Sequence, residues 1–305
     1  MTTLSIIVLN WNHPKLTLEC LKSIENLKLP SSVVLHVIVI DNNSTDDSEN
    51  ILSKSTVKNA TYHFIRNEHN LGFAGGNNVG ISHALSTKSD YILILNNDTV
   101  LDTNLLGELL KSAEKNTKSI LTPKIYFAAG YEFHKKRYSA KQRGKVIWSV
   151  GGTIDWNNVY GTNRGVDEVD KGQFEEETEV DFASGACMFF PSEIIDTIGT
   201  FDEKYFLYLE DTDFCMRAKQ KGYNTLYVPK ACLWHKVSQS SEIGGRLNDY
   251  FITRNRLLFA QRYAGLRTRF ALFRENIRLV LYGRVWQRRG VIDYYISRYG
   301  KGSWK

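Results

Sequence analysis

The sequence predicts an α/β protein with a mostly parallel central sheet flanked by helices. Apolar runs over residues 4–9, 33–40 and 91–95 are typical of strands that are buried on both faces, as in parallel sheets. Segments with helical periodicity alternate with these runs, which is the pattern of a doubly wound sheet. Polar residues follow the runs, and α/β proteins bind their ligands at the carboxyl ends of such strands.

The expected elements follow one another regularly along the first half of the chain. Pro14 opens the first helix, whose apolar residues recur at helical spacing. After the second strand, Ser44 or Thr45 can cap the next helix. The later elements of this half are a strand at residues 62–65, a glycine- and asparagine-rich loop at 67–80, and helices at 77–86 and 104–115.

The second half is expected to contain shorter elements. Ser184, Gly185 and Ala186 interrupt a strand over residues 180–190, and small residues permit the close approach of a ligand or of another backbone. Pro229 should stop the last strand. That last strand should begin at residue 224. The remaining expected elements are a strand at 146–150 and helices at 192–198, at 211–222 and from 247 onward.

The composition, with 42% apolar and 24% charged residues, is that of an ordinary globular protein. No run approaches the length of uncharged apolar sequence that spans a membrane, and the N-terminus shows no basic secretory signal region. Cys20, Cys187, Cys215 and Cys232 lack metal-site spacing, which is typical of reduced thiols. We therefore expect a cytoplasmic protein. A further expectation is peripheral contact with the cytoplasmic face of the membrane.

The net charge of +6 is unevenly distributed along the chain. Residues 246–305 hold 14 lysines and arginines against three acids, so the part before them is slightly acidic. Arginines set among Phe, Leu, Tyr and Trp suit an amphipathic helix on an anionic membrane. The alternative is a helical cap that packs on the domain or on a second subunit in a homo-oligomer. No nucleic acid partner is expected, because no recognised binding motif accompanies the charge.

Asn96, Asn97 and Asp98 end an apolar strand abruptly. A carboxylate at this edge of a sheet can hold Mg²⁺ or Mn²⁺, which can in turn hold a diphosphate. The alternative is that these residues turn the chain and cap the helix near Asp102. Asp41, at the end of the second strand, has two comparable interpretations: it accepts hydrogen bonds from a base or ribose, or it is a turn acid.

Three glycines lie within five residues, at positions 72, 75 and 76. They let the backbone approach a ligand closely, and a helix N-terminus is expected to follow. The segment is neither a dinucleotide fingerprint nor a P-loop, because GxGxxG and Gly-Lys-Ser/Thr are both missing from it. On its own, therefore, it identifies no ligand.

Glu210, Asp211 and Asp213 lie together at the start of a predicted helix. Acids there complement the helix dipole, but three exceed what capping requires. A carboxylate beside a substrate hydroxyl can act as a general base, and like-charged neighbours would raise its pKa. His235, just after the last predicted strand, is either a structural histidine or a metal ligand together with Asp98.

Taken together, these segments resemble the family 2 glycosyltransferases of GT-A fold, and especially the rhamnosyltransferase-like members. The resemblance covers residues 4 to about 260, and the order and spacing of its motifs are specific. It implies a glycosyltransferase domain at 1–245, with a nucleotide-binding half at 1–100 and an acceptor half at 101–245, before a basic helical extension at 246–305. The motifs that carry the resemblance are residues 5–12, 41–46, 70–80, 95–98, 184–186, 210–213 and 234–235.

The resemblance implies a role for each motif. Asp98 matches the metal-binding acid, with His235 as a further metal ligand. Asp211 matches the general base of inverting members, and Asp41 would contact a pyrimidine base. The other residues implied in donor binding are Asn10, Asn12, Asn43, Asn70, Gly72, Phe73, Gly76, Asn78 and Asn97. The residues implied beside the acceptor are Ser184, Gly185, Ala186, Glu210 and Asp213.

Two positions depart from the family pattern, because Asn96 replaces the first acid of the metal motif and Asn77 replaces a frequent arginine. The implied reaction is an inverting transfer of a sugar, with rhamnose from dTDP-rhamnose as the leading donor, a UDP-sugar as the alternative, and Mg²⁺ or Mn²⁺ as cofactor. The implied acceptor is a hydroxyl of a glycan or of a polyprenyl-linked glycan in cell-surface polysaccharide synthesis. A non-catalytic module that binds sugar nucleotides or glycans is the alternative of another class.

Overall fold

The parallel core of the sheet forms where the sequence is most apolar. A computed structural model describes residues 1–237 and 245–304. In it, β1 (Thr2–Asn10) lies between β2 (Val33–Asp41) and β4 (Tyr91–Asn96), and all three strands are parallel. Most of their Val, Ile and Leu side chains are buried, on both faces of the sheet, because helices cover it on either side. The predicted α/β fold with a central sheet flanked by helices is confirmed.

The sheet continues on both sides of this core, and its second half is mixed. On one side, β3 (Thr61–Arg66) adds a parallel strand. On the other side, β11 (Cys187–Pro191) runs antiparallel to β4, and β6 (Ser119–Phe127) runs antiparallel to β11. Next comes β12 (Asn224–His235), which is parallel to β6. The parallel pattern is therefore interrupted where β11 enters the sheet, and β6 is a strand that the sequence analysis did not predict.

Five shorter strands lie at the margins of the described structure. β5 (Thr99–Leu101) and β10 (Thr178–Glu179) both pair with β12, and β7 (Ile147–Ser149) pairs with β6. A separate two-stranded sheet consists of β8 (Gly152–Asp155) and β9 (Tyr160–Asn163). Residues 1–100 and 101–237 thus contribute to one ten-stranded sheet, so the two expected halves are joined by a common sheet.

Two expectations about strands were wrong. Pro229 does not end the last strand, because β12 runs on to His235 with an irregularity between Val228 and Cys232. A proline is tolerated at such a break, where no ladder hydrogen bond needs its missing N–H group. The strand expected at 180–190 is also shorter, since residues 184–186 lie in the loop that precedes β11.

The helix α3 (Gly72–Ser86) begins earlier than expected, so most of the predicted glycine-rich loop is helical. A Cβ at position 76 would lie 2.5 Å from Leu9 of β1, and one at position 80 would meet Ile7 more closely still. Glycine at these positions therefore allows the helix to pack closely on the sheet. The other helices of this part are α1 (Pro14–Glu25), α2 (Ser48–Leu52), α4 (Leu105–Lys115), α5 (Ile194–Ile198) and α6 (Glu210–Gln220).

The basic C-terminal segment is helical, as predicted. It forms α7 (Arg246–Tyr263), α8 (Leu266–Tyr282) and α9 (Val285–Tyr295). The end of the expected first domain, residues 238–244, and the last residue of the expected extension, Lys305, lie outside the described residues. None of the helices in the described ranges combines the length and the apolarity needed to cross a bilayer.

Three histidines from separate elements meet at one margin of the sheet. Nδ1 of His36 lies 3.0 Å from Nε2 of His63, and the rings of His63 and His83 are 4.5 Å apart. Burial, followed by the neighbouring His83, lowers the pKa of both His36 and His63. Because their pKa is lower in the folded chain than in the unfolded chain, the unfolded chain binds more protons as the pH falls.

We expect these histidines to stabilise the fold above about pH 6.5, the ordinary histidine pKa, and to destabilise it progressively below that pH. Urea unfolding of the wild type and of His63→Gln at pH 7.5 and pH 5 measures this contribution. The wild type should lose more unfolding free energy on acidification than the variant does, because the variant removes the central imidazole. Equal losses in the two proteins would contradict the prediction.

Candidate active site

Asn10 and Asp41 lie next to each other at the carboxyl ends of β1 and β2. Nδ2 of Asn10 donates a hydrogen bond to Oδ1 of Asp41 at 2.9 Å. Ser44 donates from its hydroxyl to Oδ1 at 2.5 Å and from its backbone N–H to Oδ2 at 3.1 Å, while Nε of Arg66 lies 3.7 Å from Oδ2. Asp41 is fully buried, so these partners hold its carboxylate in one orientation.

A chain of hydrogen bonds connects this corner to the end of β4. Nδ2 of Asn97 donates to the hydroxyl of Thr17 at 2.9 Å, and that hydroxyl donates to Oδ1 of Asn10 at 2.7 Å. Asn12 joins from the other side, because its backbone N–H donates to the Ser44 hydroxyl at 2.7 Å. The structure thus brings together Asn10, Asn12, Asp41 and Asn97, and Thr17 is a connecting residue that sequence analysis missed.

Asn42 organises the segment that leads into α3. Its Oδ1 accepts hydrogen bonds from Nδ2 of Asn67 and from the Leu71 N–H, both at 3.0 Å. Its Nδ2 donates to Oδ1 of Asn70 at 3.1 Å and to the Gly72 carbonyl at 3.0 Å. Asn42 is buried and was not predicted, although its place directly after Asp41 was the available signal.

The next residue of that turn, Asn43, is also a predicted donor contact. It has a left-handed backbone conformation, with φ of 60°, and its side chain is half-buried. Asparagine tolerates this conformation better than most residues. Asn43 therefore turns the chain sharply between Asp41 and Ser44, which places both of those side chains at the same corner of the sheet.

The N-terminus of α3 contacts the loop that precedes α6. The N–H groups of Phe73 and Ala74 donate to the Phe206 carbonyl at 2.7 and 3.2 Å. Gly72 has φ of 71°, and a Cβ there would collide with the same carbonyl. Two N–H groups at the N-terminus of α3 are thus used within the protein, because the two segments pack directly on each other.

Two further predicted donor contacts face other parts of the protein. Gly76 packs on Leu9 of β1. The side chain of Asn78 donates to the Phe201 carbonyl at 2.9 Å and accepts from the Phe201 N–H at 3.0 Å. Nδ2 of Asn78 also lies 3.0 Å from Oε1 of Glu203. In α3, these two positions pack on the sheet and hold the segment around 201–203, and their roles in donor binding stay predictions.

Asp211 lies at the start of α6, beside the loop that contains residues 184–186. Its Oδ2 accepts a hydrogen bond from the Gly185 N–H at 2.9 Å, and its Oδ1 accepts from the Thr212 N–H at 2.6 Å. A Cβ at position 185 would lie 2.7 Å from the Phe73 ring, so Phe73, Gly185 and Asp211 converge. Burial raises the pKa of the Asp211 carboxyl, and these hydrogen bonds oppose the effect.

The same loop is attached to the end of β4. The Asn96 N–H donates to the Ala186 carbonyl at 3.0 Å, and the Ala186 N–H donates to the Ser184 hydroxyl at 3.2 Å. Residues 184–186 therefore connect the strand that leads into Asp98 with the helix that begins beside Asp211. Both predicted acids belong to one edge of the sheet.

The neighbours of Asp211 differ sharply in their surroundings. Glu210 is buried, and burial followed by the Asp211 charge raises its pKa well above the ordinary value. Asp213 is fully buried and accepts hydrogen bonds from Arg217 at 2.8 Å and from Arg262 at 2.7 Å. The hydroxyls of Tyr205 and Tyr263 also donate to Asp213, at 3.1 and 2.8 Å. Asp213 thus joins α6 to α7 and has no open side toward an acceptor.

Asp98 and His235, the two residues implied as metal ligands, lie in direct contact. Nε2 of His235 lies 2.9 Å from Oδ1 of Asp98, and both side chains are buried. His235 is the last residue of β12, which pairs with β5 directly after Asp98. Trp148 packs edge-on against the imidazole, whose Nδ1 has no hydrogen-bond partner among the described residues.

This pair fits a divalent cation that takes most of its ligands from elsewhere. Adjacent ligands of an octahedral Mg²⁺ lie about 3 Å apart, which matches the observed separation of 2.9 Å between Asp98 and His235. Within residues 1–237 and 245–304, no group of three His, Cys, Asp or Glu side chains is arranged to hold a metal ion. Among the described residues, Asp98 and His235 are thus a pair rather than part of a larger cluster of such side chains, and Mg²⁺ is commonly bound by one or two protein ligands together with phosphates and water.

Solved structures share this fold. The crystal structure of GalNAc-T7 with UDP, GalNAc and Mn2+ superposes with a TM-score of 0.64 at 16% identity, over 91% of this chain and 55% of the other. TarS 1–349 of S. aureus in complex with UDP gives a TM-score of 0.59 at 17% identity, over 96% and 79% of the two chains. Both are GT-A glycosyltransferase folds, so the predicted fold type is confirmed.

Two curated relatives of low sequence identity are also named as glycosyltransferases. The Low-salt glycan biosynthesis hexosyltransferase Agl10 of Haloferax volcanii is 27% identical over 222 residues, which cover 72% of this chain and 63% of that protein. The Rhamnosyltransferase WbbL of Escherichia coli K12 is 25% identical over 162 residues, which cover 52% and 58%. This chain therefore matches less than two thirds of the length of either relative.

The sequence pattern of one family covers more than half of the chain. It is described as Glycosyl transferase family 2, and it matches residues 5–199. The matched region contains the Asn10–Asp41 corner, Asp98 and the loop at residues 184–186, whereas Asp211 and His235 follow it. The chain belongs to glycosyl transferase family 2.

Proposed function

We propose that the chain is an inverting glycosyltransferase that moves a sugar from a pyrimidine nucleotide-sugar to a hydroxyl group. Rhamnose from dTDP-rhamnose is the leading donor and a UDP-sugar the alternative. Family membership and the names of the two relatives, a hexosyltransferase and a rhamnosyltransferase, support a transferase. The proposed acceptor is a glycan or a polyprenyl-linked glycan.

The observation that carries this proposal is the environment of Asp211. Asp211 is half-buried, its carboxylate is oriented by the N–H groups of Gly185 and Thr212, and its pKa is raised by burial. A carboxylate in a fixed orientation with a raised pKa is suited to accept a proton from a hydroxyl group. A carboxylate with a purely structural role would instead be neutralised by ion pairs, as Asp213 is by Arg217 and Arg262.

The proposed reaction is a single displacement. Asp211 removes the proton from the acceptor hydroxyl, and the hydroxyl oxygen forms a bond to the anomeric carbon of the donor. The bond between that carbon and the diphosphate oxygen breaks, and its electron pair leaves with the nucleoside diphosphate. Attack from the face opposite the leaving group inverts the anomeric configuration.

Asp98 and His235 would hold Mg²⁺ or Mn²⁺ beside the donor diphosphate. When bound, the ion neutralises negative charge on the diphosphate. Asn96 lies where many family members carry another acid, so we propose modest rather than tight metal affinity. Asn10, Asp41 and their partners would bind the nucleoside, because they form a buried and fixed set of hydrogen-bonding groups at the same sheet edge.

Calorimetric titration with dTDP, UDP and GDP, each with Mg²⁺, Mn²⁺ or EDTA, tests the proposal. We expect binding of a pyrimidine diphosphate that is stronger with metal than with EDTA. Asp98→Ala should weaken the metal-dependent binding by at least about tenfold and should leave binding in EDTA unchanged.

Asp196→Ala is the matched control, because Asp196 is exposed on α5 and should leave both values unchanged. If none of the three diphosphates binds under any condition, the transferase mechanism is refuted. A glycan-binding module then becomes the better hypothesis. If a diphosphate binds equally tightly with metal and with EDTA, the assignment of Asp98 and His235 as metal ligands is refuted, and the rest of the proposal stands.

A further inference from the structure

The helix α8 exposes an apolar stripe to solvent. Its members recur at spacings of three and four residues, which places them along one face of the helix. Their exposed fractions range from 41% for Val280 to 82% for Leu266. The opposite face packs on the protein through Leu272 and Asn276, which are buried. We call the exposed residues the α8 stripe: Leu266, Phe270, Phe273, Ile277, Val280 and Leu281.

Arginines border the α8 stripe. Arg267, Arg274 and Arg278 recur at the same spacings and are exposed along one side of it. None of the three takes part in an ion pair with a described residue. Glu275, the acid of this helix, is already paired with Arg256 at 2.8 Å. The border of the stripe is therefore uniformly positive.

Three of the four arginines of α7 are used differently. Arg254 is fully buried, Arg256 is paired with Glu275, and Arg262 is paired with Asp213 and Asp202. These cations hold the C-terminal helices on the body of the protein. These three arginines therefore contribute no free charge beside the α8 stripe, in contrast to the exposed arginines of α8 itself.

We propose that the α8 stripe docks on an anionic lipid surface, with α8 lying in the plane of the membrane interface. The apolar side chains would enter the boundary between headgroups and acyl chains, and the bordering arginines would meet the lipid phosphates. Arginine suits this place because its aliphatic stem can lie along apolar surface while the guanidinium stays at the headgroups.

Charge complementarity favours lipid over a second copy of the chain. A second copy that packed its own α8 stripe here would bring the same three arginines to the interface. The helix has no unpaired acid to receive them, since Glu275 is paired with Arg256. An anionic membrane supplies the missing negative charge.

Vesicle sedimentation tests this surface directly and is independent of the transferase proposal, because it needs neither donor nor acceptor. The full chain is mixed with vesicles of phosphatidylcholine alone or with about 30% phosphatidylglycerol. We expect binding to the anionic vesicles, weaker binding to the neutral ones, and loss of binding at high salt.

Two sets of variants separate the apolar and the charged contributions. Phe270→Ser with Ile277→Ser should weaken vesicle binding at least about tenfold, whereas Val34→Ser with Leu85→Ser, which changes exposed apolar residues elsewhere, should not. Arg267→Gln, Arg274→Gln and Arg278→Gln together should weaken it by about fivefold for each charge. The matched control is Lys22→Gln, Lys58→Gln and Lys118→Gln, which removes the same charge from exposed sites elsewhere.

Failure of the wild type to bind anionic vesicles would overturn the proposal, and so would binding that both α8 variants leave unchanged. Light scattering on the same proteins tests whether a second copy of the chain covers the α8 stripe instead of lipid. A dimer that Phe270→Ser with Ile277→Ser dissociates, without vesicle binding by the wild type, would show that a second copy covers the stripe. Circular dichroism confirms that each variant is folded.

Discussion

Asp211→Asn is expected to reduce turnover by about 10²–10⁴-fold, the usual contribution of a general base. The amide cannot accept the proton of the acceptor hydroxyl, although it occupies the same volume between Gly185 and Thr212. Binding of the nucleoside diphosphate should change little, because Asp211 lies on the acceptor side of the proposed site. Turnover with the donor that calorimetry identifies, and titration of the matching diphosphate, measure the two quantities separately.

The pH dependence of the wild type provides a second test of the same residue. A general base must be deprotonated to act, so kcat/KM falls as the pH drops through its pKa. Because burial raises the pKa of Asp211, this fall should occur at a higher pH than for an ordinary aspartate. Asp196→Asn, at an exposed acid of α5, is the control and should keep the wild-type rate and profile.

Turnover close to wild type in Asp211→Asn would contradict the assignment of the base. Glu210 would then be the next candidate, since it is adjacent and its pKa is also raised. Asp213 is a poor alternative, because Arg217 and Arg262 already neutralise its buried carboxylate. Of the three acids of this segment, Asp211 is therefore the first candidate for the general base and Glu210 the second.

Asn255→Leu is expected to lower the free energy of unfolding by about 2–4 kcal/mol, since buried carbonyls would lose their donor. Nδ2 of Asn255 lies within 2.7–2.9 Å of the carbonyl oxygens of Tyr205, Leu207 and Tyr208. The adjacent Arg254 also donates to the Tyr205 carbonyl at 2.9 Å. Chemical denaturation measures the loss.

The loop that Asn255 holds has an unfavourable backbone conformation. Phe206, Tyr208 and Leu209 all have positive φ, between 65° and 71°. Such residues cost of order 1–3 kcal/mol each and persist only when their surroundings impose the conformation. Since Leu209 directly precedes α6, we expect Asn255→Leu to lower kcat as well, through misplacement of Asp211.

Asn248→Leu provides the matched control for this prediction. Asn248 lies on the same helix, α7, and its side chain is only half-buried. Its replacement should change the free energy of unfolding by no more than about 0.5 kcal/mol. Equal losses in Asn248→Leu and Asn255→Leu would show that the effect comes from α7 itself rather than from the hydrogen bonds to the loop.

The sequence predicted well those features that depend on neighbouring residues. The strand that ends before Asp98 and the helix that begins beside Asp211 were both placed correctly, because apolar runs and acidic helix starts are local patterns. It did not indicate which parts of the protein Gly76 and Asn78 contact. Glycine and asparagine are residue types that suit a phosphate site. Only the three-dimensional structure shows that Gly76 packs on β1 and that Asn78 binds the backbone of Phe201.

By itself, the sequence determined the α/β core, the polar strand ends and the basic helical C-terminus of this protein. Only the tertiary structure decided that Asp98 meets His235, that Asp213 is a buried link, and that Asn255 holds the loop before α6. Those contacts join residues far apart in the chain, so their geometry depends on how strands and helices pack. Strand and helix patterns arise from the chemistry of adjacent residues, whereas a site depends on side chains that only folding brings within a few ångströms.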